Sequence, residues 1–187
     1  IRRQLAAVLG IDSPSGCTEE IQQYLCDTLL AMGYMPRRLV KGGVHVTLGG
    51  EGEPLTLMAH ADTLGAAVHY IKPNGRLAIS NINLNAFNVE GENVRIITRF
   101  NGSYEGTLQL CNASIHVNPE PYQARDLNKN MEIVLDQDVH CEEDVKALGI
   151  LPGDVIALDP RFRITDTGYV KSRFLDDKAS VVALLTL

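Results

Sequence analysis

From about Ala66 to Thr165, short β-prone runs alternate with tight-turn signals, and this pattern constrains the chain more than any other feature. "AVHYI", "KPNG" and "RLAIS" follow one another, and then "NVRIITR", "FNG" and "SYEGTLQL". Asn-Gly supplies the positive φ values of a two-residue hairpin turn, so each pair is expected to fold back antiparallel. "MEIVLD" and "DVIAL" add two more strands, with "EEDVKALGI" a short helix between them. Strands at such regular spacing predict a small barrel or sandwich.

The flanking segments read differently. Ile1, Leu5, Val8 and Leu9 share one helical face that stops at Gly10, and the loop "IDSPSG" follows. Thr18 then precedes "EEIQQYLCDTLLAMG", where Ile21, Leu25, Thr28, Leu29 and Met32 recur at helical steps. Glu19 and Glu20 sit where the helix dipole favours acids, and Gly33 is placed to end the helix in a left-handed cap. "GGVHVTLGG" and "EPLTLMAHAD" are β-prone; the second is nearly continuous in apolar residues, as expected of a strand covered on both faces. "GYVKSRFLDDKASVVALLTL" predicts a strand, an acidic turn and an apolar helix from about Lys178.

The expected fold class is therefore α/β: a helix-flanked mixed-sheet core over residues 1–64 and 166–187, interrupted by a small β-barrel-like insert over 65–165. The closing helix has barely begun at Leu187, so a truncated core is expected.

Seventeen Lys and Arg stand against 23 Asp and Glu, a net charge of -6 without long like-charge blocks, which argues against nucleic acid as a partner. No apolar run approaches the ~20 residues needed to cross a bilayer, so no membrane association is expected. Cys17, Cys26, Cys111 and Cys141 lack CxxC spacing and are read as reduced thiols of a cytoplasmic protein.

In "LTLMAHADTLGAA", Leu55 to Ala67, the apolar run ends abruptly in His60 and Asp62, which face the same way in extended geometry. One reading is a polar loop past a strand. The other is a metal-binding imidazole with Asp62 fixing its tautomer, favoured by a position where open α/β sheets bind ligands. Asp176 and Asp177 allow a helix cap or a cation site; capping needs one carboxylate, and a second adds repulsion unless a cation is shared. His45, His69, His116 and His140 lack partners at ligand spacing and are read as structural or surface residues. No G-x-S-x-G elbow or nucleotide-binding glycine pattern is present.

Taken in order, "SPSGCTEEI", "KGGVHVTLGG", "MAHADTLGA", "NGRL", "GILPGDVIALDP" and "YVKSRFLDDKAS" resemble the dinuclear metal aminopeptidases of the glutamyl aminopeptidase and tetrahedral aminopeptidase family, some of which are labelled endoglucanases. The resemblance covers essentially the whole chain. It implies an aminopeptidase that hydrolyses N-terminal residues from short peptides with a metal-activated water. His60 would bind one of two divalent ions, zinc or cobalt with manganese as an alternative. Asp62 would serve catalysis by orienting His60. Asp176 would bridge both ions, with a non-proline cis peptide before Asp177. The resemblance also implies a large homo-oligomer to which the β-rich insert contributes. The glutamate base and the remaining ligands would lie after the helix that begins at Lys178, so the chain alone is expected to be inactive. Two other readings stand beside this one: a deacylase, carboxypeptidase or glycosidase using the same metals, and a non-enzymatic assembly module built on the β-rich insert.

Overall fold

The computed structural model describes residues 1–187. They form two compact units, one of Ile1–Thr63 with Pro160–Leu187 and one of Leu64–Asp159.

The first unit opens with α1 (Arg2–Gly10), which buries Val8 and Leu9, and α2 (Glu19–Ala31), which buries Ile21, Cys26 and Leu29. Gly33 takes φ +89°, and the Tyr34 amide donates to the Leu29 carbonyl, so α2 ends in the left-handed turn its glycine predicts. Two antiparallel pairs of residues follow, β1 (Arg37–Arg38) and β2 (Val44–His45). Only that much of "GGVHVTLGG" is strand.

The expected strand over "EPLTLMAHAD" is not formed. A strand exists only by virtue of a hydrogen-bonded neighbour, and apart from a single bridge at Thr63 no segment of this chain pairs alongside it. Its large apolar side chains are accordingly uncovered: Leu55 is 84% and Met58 86% exposed, and only Ala59 and Ala61 pack against the core.

The second unit contains β3 (Gly65–Ile71), β4 (Leu77–Ile82), β5 (Glu92–Ile97), β6 (Ser103–Leu110), β7 (Met131–Leu135), the short helix α3 (Glu142–Ala147) and β8 (Val155–Leu158). The six strands close into a barrel in the order β3-β4-β7-β6-β5-β8, every neighbour antiparallel. Closure leaves no sheet edge to guard. Gly75 and Gly102, both at positive φ, turn the hairpins β3–β4 and β5–β6. Val94, Ile96, Leu108, Ile133 and Ile156 are at most 2% exposed and belong to the packed interior. Gly106, opposite Val94 in β6, is needed for space: a Cβ there would lie 2.6 Å from the Val134 carbonyl oxygen and 2.9 Å from Ile133 Cγ2.

The chain returns to the first unit through the pair β9 (Arg163–Ile164) and β10 (Val170–Lys171) and ends in α4 (Leu175–Leu184). Asp176 and Asp177 have non-helical backbone angles, so the regular turns of α4 start at Lys178. Val181, Val182 and Leu185 pack with Val8, Ile21 and Leu29 as the core of this unit. Lys178 is buried too, at 1% exposure, and its Nζ donates to the Ile11 carbonyl at 2.6 Å. Burial pushes its pKa down to about 8, against an opposing pull from Asp12.

Two outcomes are expected. Gly106→Ala forces backbone apart inside a closed barrel and lowers the unfolding free energy by about 1–3 kcal/mol in urea titration. Lys178 has a depressed folded pKa, so between pH 8 and its ordinary 10.5 the unfolded chain binds more protons and stability rises with pH. Relative to Lys178→Met, the wild-type chain gains up to about 3 kcal/mol across that window, measured by urea titration at each pH.

Candidate metal centre

The loop after α1 is laid along residues 61–63 and held by backbone and side chain together. The Thr63 amide donates to the Ser13 carbonyl at 2.8 Å, and the Ser15 amide donates to the Thr63 carbonyl at 3.1 Å. Pro14 sits between them in a parallel bridge to Thr63, where a residue without an N–H leaves no donor unpaired. Buried Ser13 donates its hydroxyl to the Ala61 carbonyl at 2.7 Å. Ser15 donates its hydroxyl to Asp62 Oδ2 at 2.6 Å.

This arrangement sets the residue before it. His60 Nδ1 lies 3.2 Å from both the Asp62 carbonyl oxygen and Asp62 Oδ1. On the far side of the ring, His60 Nε2 lies 3.2 Å from Asp176 Oδ1, although the two residues are 116 apart in sequence. The turn before α4 delivers Asp176. Phe174 is left-handed (φ 63°, ψ 22°), Asp176 is extended in ψ, and the Asp176–Asp177 peptide is cis. A bulky residue at positive φ is uncommon, and such residues concentrate where a site constrains the backbone. No side chain caps the start of α4. His60, Asp62 and Asp176 all belong to the first unit.

Both ring nitrogens of His60 thus face oxygens. Desolvation pulls the imidazole pKa down, but the Asp62 carbonyl and the Asp176 carboxylate outweigh it, and the pKa stands above its ordinary 6.5. The 3.2 Å gap between His60 Nε2 and Asp176 Oδ1 is bridged by a proton in the imidazolium form, and a divalent cation would take that proton's place. An imidazole nitrogen with a carboxylate oxygen suits zinc, cobalt and manganese alike. His60 and Asp176 are open to solvent, at 54% and 96% side-chain exposure. No group of three or more His, Cys, Asp or Glu side chains in this chain is arranged to hold a metal ion, whereas zinc takes about four ligands. The residues present fit part of a metal site and do not complete it.

The other histidines are placed differently. His69 Nδ1 is 3.2 Å from Ser80 Oγ, His140 Nε2 is 3.0 Å from Asp138, and His45 and His116 are exposed. All four cysteines are free. Ser13 and Ser15, which position the 61–63 segment, lie in the motif "SPSGCTEEI" that carries the resemblance, but nothing in the sequence gave either a role at the site. Their partners lie 48 and 47 residues away, beyond any local spacing.

The chain matches the M42 glutamyl aminopeptidase family over residues 42–187. It belongs to that family. It is 43% identical over 183 residues to a protein of Bacillus subtilis (strain 168) named "Putative aminopeptidase YhfE", covering 96% of this chain and 53% of that one. Its fold is that of the TET1 peptidase of Pyrococcus horikoshii, with a TM-score of 0.85 at 22% identity over 98% of this chain and 54% of that chain. It is also that of aminopeptidase APDkam598 from Desulfurococcus kamchatkensis, with a TM-score of 0.84 at 20% identity over 97% and 49%. This M42 chain spans about half the length of these relatives. None of its helices is long and apolar enough to cross a membrane.

In the metal-free chain, His60 is expected to titrate with a midpoint above 6.5 in NMR spectra of the imidazole. Asp176→Asn is expected to lower that midpoint. A raised folded pKa contributes stability that is full below 6.5 and lost as pH rises through the folded value, so His60→Gln is expected to flatten the stability curve in that window.

Proposed function

We propose that this chain forms part of a metal-dependent aminopeptidase that removes N-terminal residues from short peptides. The observation that carries the reading is the approach of His60 Nε2 to the Asp176 carboxylate, 3.2 Å apart, in a chain of a peptidase family. In this reading His60 and Asp176 hold divalent ions, zinc or cobalt with manganese as an alternative. Asp176, with two carboxylate oxygens and almost full exposure, is suited to bridge a pair. A divalent ion bound there supplies Lewis-acid polarisation of a carbonyl oxygen and makes water acidic near neutral pH.

The chain's own residues contribute orientation and charge. Asp62 keeps the His60 Nδ1 proton, which leaves the Nε2 lone pair for the ion. The turn at Phe174 holds the Asp176 carboxylate opposite that lone pair.

Two donors do not satisfy two ions, so the completed centre, the proton-accepting base and turnover are assigned to the longer parent protein. The 187-residue chain alone is assigned weak metal binding and no turnover. Residues 65–165 are assigned to an oligomerisation and access insert, in line with the Pyrococcus horikoshii peptidase, which is described as assembling into a tetrahedron or a large octahedral shell. The assembly is placed in the cytoplasm.

Hydrolysis of aminoacyl p-nitroanilides tests the reading. The full-length parent with zinc or cobalt is expected to turn over and to stop when chelated, and His60→Ala is expected to cost roughly 100-fold or more in kcat/KM. Turnover that survives both a chelator and His60→Ala would overturn the metal assignment. Turnover by the 187-residue chain equal to the parent's would overturn the division of labour.

A further inference from the structure

We infer that Ser15 is a positioning residue for His60, acting through Asp62 to hold the imidazole in the tautomer that can bind a metal. The inference rests on the metal reading proposed above and names a residue that the reading does not use.

The Ser15 hydroxyl donates to Asp62 Oδ2 at 2.6 Å, which leaves Oδ1 as the oxygen 3.2 Å from His60 Nδ1. Asp62 is 45% exposed, so packing alone does not fix the rotation of its carboxylate. A charge-assisted hydrogen bond of this length does. The same loop controls the second acceptor. The Ser13 carbonyl and Ser15 amide bracket Thr63, and so they set the direction of the Asp62 carbonyl, which is also 3.2 Å from Nδ1. Two oxygens held by a half-buried loop therefore face Nδ1, against one oxygen of a 96% exposed carboxylate facing Nε2. The proton of the neutral imidazole goes to Nδ1, and the Nε2 lone pair points outward.

A simpler role for Ser15 would be to close its own turn, as serine hydroxyls commonly do. That turn is already closed by the backbone, with the Cys17 amide donating to the Pro14 carbonyl at 2.7 Å. The hydroxyl instead reaches 47 positions along the chain to the carboxylate on the Nδ1 side of His60. Ser13 provides the contrast. It is fully buried and its hydroxyl binds a backbone carbonyl, so its role is to hold the loop down.

The experiment uses the 187-residue chain with Ser15→Ala, Ser15→Thr and Ser13→Ala variants. Long-range proton–nitrogen spectra of the metal-free chain, at a pH above the His60 midpoint, read the tautomer. Calorimetry with zinc alone reads affinity, and thermal melting reads stability. The wild-type chain is expected to show Nδ1–H at His60. Ser15→Ala is expected to raise the Nε2–H share and weaken zinc binding about tenfold, and Ser15→Thr to restore both. Ser13→Ala is expected to lower the melting temperature without moving the tautomer. An unchanged tautomer and a zinc affinity within about twofold of wild type in Ser15→Ala would sink the inference. So would a Ser13→Ala variant that shifts the tautomer equally. A wild-type chain that binds no zinc would overturn the weak binding assigned to the 187-residue chain and leave the tautomer comparison to decide the inference, because that comparison needs no metal.

Discussion

The first unit depends on a six-residue loop, Asp12–Cys17, that is tied down from two sides. Just before the loop, the buried Lys178 ammonium donates to the Ile11 carbonyl, two residues on from Asp176. Within it, Ser13, Pro14 and Ser15 are laddered to residues 61–63, next to His60. The loop is a splint between two segments far apart in sequence. An ammonium that is costly to bury is retained there because a carbonyl partner satisfies it, and because the surrounding contacts of Val181 and Val182 hold α4 against α1 and α2. The approach of His60 to Asp176 follows from this splint, since the segment leading to His60 has no strand neighbour of its own to locate it.

What the sequence showed and what it hid divide along one physical line. Local geometry was legible. Apolar residues at three- and four-residue steps placed α2, glycines at Gly33, Gly75 and Gly102 placed the chain reversals, and alternating β-prone runs between Asn-Gly turns announced the barrel. Non-local pairing was not. "EPLTLMAHAD" has the composition of a buried strand, but composition states a preference and a ladder needs a partner. The approach of His60 to Asp176 was suggested by a family resemblance carried in ordered motifs, and no spacing rule links positions 116 residues apart. Ser15 stood in a motif that carried the resemblance, but its role was hidden for the same reason, since its hydroxyl serves a carboxylate 47 residues away.

Polar groups are treated differently in the two units. In the barrel, the Glu132 side chain is only 3% exposed and is satisfied by two cations, Lys72 at 2.7 Å and Arg76. A buried carboxylate so completely paired is fixed in place and closed to ligands. Asp176 is the opposite case, with one histidine neighbour and nearly all of its surface in solvent. The contrast separates charges that build the fold from charges open to an outside partner.

In the barrel, the strand that enters and the strand that leaves are neighbours: β3 pairs with β8 at Ala66↔Ile156 and Ala67↔Val155. The excursion therefore ends beside the place where it started. For the residues on either side, the entropy of closing the chain is set by the short gap across that pair, and the contour length of the excursion hardly enters. A module whose two ends meet can be lengthened, trimmed at its outer loops or reshaped while the flanking polypeptide registers almost no change in tether.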